Sequence, residues 1–271
     1  MCYSKEVQLA TGSAIIVISI FYYILYVIKY NAIKEKWLIP FLKFTMAGFL
    51  YIGGHQIFEF LSLVTENQII YKTGLIISIS AMFFFLKSLE VLLNRKLHSH
   101  LALVLIAAVA VHAFLTPMSF QEQSFYLRHN NVSLWSYSWI FLFFYFNVCA
   151  LFGLKFLPKN SSRKTILAYL LATLDISFIL ALIYAIWGYS QFSVNICKDT
   201  PSIWCTFYLI QIFAIPFFLS ILPAAFKRPA KQTQQTWKEG ILYLLVTLTI
   251  LGIVASFLPF FDCAATKIAF P

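Results

Sequence analysis

The stretch GGHQIFEF, residues 53–60, sets His55 and Glu59 four apart, with Gln56 between them, among Gly, Ile and Phe. Positions four apart share one face of a helix, so the imidazole and the carboxylate point the same way. Such a pair supplies two ligands for a divalent metal such as zinc, or two stations for a proton. It also serves a simpler purpose, a private hydrogen bond between two groups that must not be left alone in apolar surroundings. The spacing accommodates both purposes.

Other polar residues interrupt apolar runs elsewhere. His112 lies in AVHAFLTP five residues before Pro117, Asp175 in ATLDISF, Asn147 in YFNVCA and Gln211 in LIQIFA. His112 together with His55 and Glu59 makes a candidate metal set with an open position for water. A metal there would lower the pKa of bound water, and Glu59 would act as base in a lipid-directed enzyme. The alternative uses Glu59, His112 and Asp175 as stations for protons or ions in a transporter or channel. Gln56, Asn147, Asp175 and Gln211 are candidate ligand-binding side chains in either case. A third possibility is a structural or signalling membrane subunit without chemistry. His98 and His100 sit beside Arg95 and Lys96 and read as a solvated basic turn, while Lys87 and Glu90, three apart, read as a structural pair.

The absences narrow the field. There is no His-Glu-x-x-His, no paired Cys-x-x-Cys, no phosphate-binding glycine loop and no nucleophile elbow.

The elements that must position these residues follow from composition. Of 271 residues, 61% are hydrophobic and 11% charged, with mean hydropathy +0.82, whereas soluble domains are about 25% charged. Apolar runs of about 20 residues match the length of a helix crossing a lipid bilayer. Breaks at charges, prolines and polar runs predict eight spans, at 8–29, 38–64, 68–92, 98–117, 133–156, 164–189, 204–226 and 238–260. The first run reads as a span and not as a cleaved signal.

The net charge of +10 is distributed along the chain in a way that gives orientation. The connections after odd-numbered spans, with their flanking turns, hold all of the 20 basic residues except Lys5, Lys72, Arg128, Lys198 and Lys267. By the positive-inside rule both termini lie outside, and nucleic acid is not the partner. Trp37 and Trp237 then fall at inner boundaries and Trp135, Trp187 and Trp204 at outer ones, with Trp139 a turn deeper, as an aromatic belt requires. Cys2, Cys197, Cys205 and Cys263 fall on the outer face, where Cys197–Cys205 and Cys2–Cys263 are possible bridges; Cys149 lies within a span.

The opening MCYSKEVQLATG and the element GGHQIFEFLS together resemble an uncharacterised family of bacterial multi-spanning membrane proteins. Its members begin Met-Cys-aromatic-Ser and carry a His-Gln-x-x-Glu type element in the second span. The resemblance covers about a tenth of the chain. It matches Cys2, Ser4, His55, Gln56 and Glu59, and it implies that Cys2 joins His55 and Glu59 in one site, as a third metal ligand. No activity comes with it. Alkaline ceramidase-like and progestin-receptor-like membrane proteins, which place three histidines around zinc, are a poorer likeness, because the last spans here contain no histidine.

The sequence therefore predicts an all-α fold: a polytopic transmembrane helix bundle of about eight spans, in a single domain over 1–271, with both termini outside. It would sit in the inner (plasma) membrane with lipids as its partners, around an outward-facing polar site centred on His55 and Glu59.

Overall fold

The computed structural model describes residues 5–30, 36–115, 133–158, 161–191, 207–208 and 210–218. Among these the regular structure is all helical: α1 (Lys5–Tyr30), α2 (Leu38–Thr65), α3 (Gln68–Leu93), α4 (His100–Leu115), α5 (Ser133–Phe156) and α6 (Ser162–Gln191). Residues 207–208 and 210–218 are also helical and fall within the seventh predicted span. The eighth, 238–260, lies outside the described residues, as do the polar connections 118–132 and 227–240.

The chain divides into two compact units, Lys5–Leu171 and Met1–Ser4 with Ala172–Pro271, and α6 runs through the division. In the first unit α2 packs between α1 and α3, α3 also packs against α4 and α5, and α4 meets α5.

Local chemistry sets the helix ends. Glu66 closes α2 in the left-handed conformation, at φ 51°, with its backbone N–H on the Ser62 carbonyl. Asn67 then caps α3 by accepting from the Ile69 and Ile70 N–H groups, so two residues make the whole turn. Asn94, at φ 53°, ends α3 in the same way. The following turn is tied back by Glu90, whose Oε1 accepts from the N–H groups of Leu97 and Ser99 at 3.1 and 3.2 Å while Oε2 pairs with Lys87 Nζ at 2.8 Å. Tyr145 of α5 donates to the Leu97 carbonyl at 2.6 Å. The Lys87–Glu90 pair is thus structural, as its spacing suggested, and it fixes a loop as well. His98 and His100 are exposed.

Four helical segments are long and apolar enough to cross a membrane: Glu6–Ile28, Gln68–Leu93, Tyr137–Phe156 and Ser162–Ala181. They mark a membrane protein. Exposed Val17, Phe21, Ile24 and Ile28 on α1, and Phe141, Phe144 and Phe152 on α5, give it apolar outer surfaces. The second predicted span is absent from that set, although α2 has 28 residues. Lys43, His55, Gln56 and Glu59 dilute its apolar character, and a helix enclosed by neighbours need not be apolar all round. The described part of α4, 16 residues, rises about 24 Å, less than the roughly 30 Å of a bilayer core.

Candidate functional site

Alternation of helix direction brings the start of α1, the end of α2 and the starts of α3 and α5 to one end of the first unit. The polar residues of these segments meet there. His55, Gln56 and Glu59 lie on the buried face of α2, and Gln8 of α1 faces them; none of the four is more than 6% exposed. Gln8 Nε2 donates to Glu59 Oε2 at 3.2 Å, and Gln56 Nε2 donates to the same oxygen at 3.3 Å. Glu59 Oε1 lies 3.5 Å from His55 Nε2. The other imidazole nitrogen, Nδ1, is 2.9 Å from the carbonyl oxygen of Gly74 on α3.

That last contact settles the state of one ring atom. A carbonyl oxygen can only accept, so Nδ1 carries a hydrogen. Nε2 then faces Oε1 with a lone pair unless a proton stands between them. Both amide donors are aimed at Oε2, which leaves Oε1 and Nε2 as the places for that proton. With it present the pair is neutral in sum; without it a carboxylate is left in a buried place that disfavours charge. The 3.5 Å separation is longer than a well-formed hydrogen bond, so the pair is poised and not locked.

Close backbone packing brings the partners within reach. A Cβ on Gly53 would come within 2.9 Å of the Gly12 carbonyl oxygen, and one on Gly12 within 2.8 Å of that of Gly53, so α1 and α2 touch where both lack side chains. Gly74 matters likewise: a Cβ there would meet Phe58 Cβ at 3.0 Å. Gly54 does not share this purpose with its neighbour Gly53, since a Cβ there would meet only Ile77 Cγ2, at an ordinary 3.5 Å.

Below the pair, Ser78 of α3 receives two indole N–H groups, from Trp135 at 3.0 Å and Trp139 at 3.1 Å. The Trp135 ring also lies 6.1 Å from the His55 ring. This corrects the assignment of these tryptophans to an aromatic belt: Trp135 and Trp139 are 7% and 1% exposed, with their rings buried against protein. Trp37 is also buried, beneath the Arg163 guanidinium at 5.0 Å. The reason is common to all three, because an indole gains more by burying its ring and giving its N–H, or its ring face, to a fixed partner. The Trp187 side chain, Trp204 and Trp237 lie outside the described residues.

Within the first unit, His112 and Asn147 do not join this cluster. Among the described residues no group of three or more His, Cys, Asp or Glu could hold a metal ion, so His112, near the end of α4, does not complete a set with His55 and Glu59. Asn147 donates to the Phe143 carbonyl of its own helix at 3.0 Å. Asp175 and Gln211 belong to the other unit, where Asp175 is half-buried and Gln211 fully buried. Cys2 and Ser4, and with Cys197, Cys205 and Cys263 both suggested bridges, lie outside the described residues; the one described cysteine, Cys149, is a half-buried thiol.

Gln8 and Ser78 are hydrogen-bonding members of this junction that residue spacing did not single out. Gln8 is 51 residues from Glu59, and the packing of α1 on α2, closest at Gly12 and Gly53, brings them together. The signal available was an amide at the edge of an apolar run, four residues before a glycine.

Comparisons with protein-family models, with curated proteins and with solved structures find no match.

Proposed function

We propose that this chain is a multi-pass protein of the inner (plasma) membrane, with about eight spans and both termini outside, whose His55–Glu59 pair binds and releases a proton. The pair serves proton- or ion-coupled movement across the membrane. The observation that carries this reading is the Nδ1–H donation to Gly74, which leaves His55 Nε2 facing Glu59 Oε1 at 3.5 Å inside a buried helix junction. One proton site shared by two groups of different helical depth is what a relay station requires. The amides of Gln8 and Gln56 hold Oε2 and so keep Oε1 turned to the ring.

The test is flux in proteoliposomes loaded with a pH-sensitive dye and given a potassium diffusion potential. Glu59→Gln keeps the shape and a hydrogen-bonding end but removes the exchangeable proton, and it should reduce proton movement to the level of empty liposomes. Equal flux in wild type and Glu59→Gln would overturn the reading. So would stoichiometric metal in the purified wild type that is lost in both His55→Ala and Glu59→Gln, which would favour a metal centre completed by Cys2.

A further inference from the structure

The opposite end of the first unit, where α3 and α5 finish, presents a second arrangement. Arg95 follows the end of α3, and its guanidinium lies 5.5 Å over the ring of Phe156, the last residue of α5. Lys96 is its neighbour. On α5, Phe152, Lys155 and Phe156 recur at helical spacing and share one face. Arg95, Lys96, Lys155, Phe152 and Phe156 are all exposed, the two rings at 58% and 64%.

Among the described residues no acidic side chain pairs with Arg95, Lys96 or Lys155. The acidic side chain on α3 close to this corner, Glu90, is already engaged by Lys87, Leu97 and Ser99. The ends of α3 and α5 carry partial negative charge that favours nearby cations, but a helix end in solvent does not neutralise them. Stacking on Phe156 holds the Arg95 guanidinium in place, so less freedom is lost when it meets an anion. Directly beside the positive groups runs an uncovered aromatic surface.

We infer that this corner binds an anionic phospholipid. Its phosphate meets Arg95, Lys96 and Lys155, and its acyl chains lie along Phe152 and Phe156. The juxtaposition of three unpaired cations with two exposed rings asks for a ligand that is anionic at one end and apolar at the other, which a soluble anion is not. Basic residues beside a membrane-spanning helix attract anionic headgroups, each adding to the affinity.

Thermal unfolding of the detergent-purified full chain tests this, with phosphatidylglycerol or phosphatidylcholine titrated in. Phosphatidylglycerol should stabilise at concentrations where phosphatidylcholine does not. Arg95→Gln with Lys155→Gln should shift the half-maximal phosphatidylglycerol concentration upward by about 30-fold. Arg95→Lys with Lys155→Arg keeps both charges and should stay within a few-fold of wild type, which separates lost charge from lost fold. Phe152→Ala, which leaves the Arg95–Phe156 stack in place, should weaken phosphatidylglycerol while leaving the small response to glycerol phosphate unchanged. Equal stabilisation by both lipids, an unshifted titration in the glutamine variant, or a glycerol phosphate response as strong as that of the lipid would each overturn the proposal.

Discussion

Gly53 and Gly54 are neighbours in sequence, yet adding one methyl group to each should have opposite effects. In Gly53→Ala the new Cβ would stand 2.8 Å from Ile16 Cγ1 and 2.9 Å from the Gly12 carbonyl oxygen, where ordinary contact begins at 3.4 Å. The isoleucine can turn, but the carbonyl is part of the α1 backbone, so the two helices must separate by about 0.5 Å. Overpacking of this kind costs about 1–3 kcal/mol. The same displacement stretches the Gln8–Glu59 hydrogen bond from 3.2 Å to beyond useful range. In Gly54→Ala the methyl group meets Ile77 Cγ2 at 3.5 Å, and alanine exceeds glycine in helix propensity by about 0.8–1 kcal/mol. Denaturant unfolding of both variants in one detergent should therefore show Gly53→Ala less stable than wild type and Gly54→Ala equal to it or more stable. Proton flux should fall only in the first. A neutral Gly53→Ala, or equal losses in both, would refute the close α1–α2 contact on which the geometry around Glu59 depends.

Two further substitutions test other parts of the junction. Ser78→Ala removes the oxygen that receives both indole N–H groups, and each buried donor left without an acceptor costs about 1–3 kcal/mol. Its unfolding free energy should fall by at least ~2 kcal/mol, while Ser78→Thr, which keeps the hydroxyl, should retain most of it; a neutral Ser78→Ala would remove the tryptophan pair from the account. Glu66→Gly should stabilise the chain by about 1 kcal/mol, because Glu66 holds a left-handed conformation at φ 51° that glycine adopts freely, whereas Glu66→Ala should bring no gain in the same unfolding assay.

Hydropathy and breaker residues located the helices well because they act locally. Pro117 and the charge clusters mark limits that the chain must respect, and all six helices α1–α6 begin within about three residues of the predicted starts. The spacing of His55 and Glu59 likewise made their common face legible. Partners across helices were not legible, since Gln8, Gly74 and Ser78 join the site through register, which depends on where two backbones can approach. The difference between Gly53 and Gly54 is invisible in composition and depends on 100° of rotation about one helix axis. The tryptophans misled for a related reason: a ring near a helix end faces lipid or protein according to which way the helix is turned.

The two-residue turn at Glu66–Asn67 bears on how such a chain is made. A helix bearing Lys43, His55, Gln56 and Glu59 enters hydrocarbon unwillingly alone, for a single carboxylate at mid-helix costs about 2.5–3.5 kcal/mol on insertion scales. α3, more apolar and only two residues behind, can carry α2 in as a helical hairpin whose polar face is covered as it enters. An integration reporter fused after α2 should therefore stay outside the bilayer, and the same reporter fused after α3 should register both helices inserted together. Biogenesis would then use the turn as a timing device, holding the polar helix at the membrane surface until its escort has emerged.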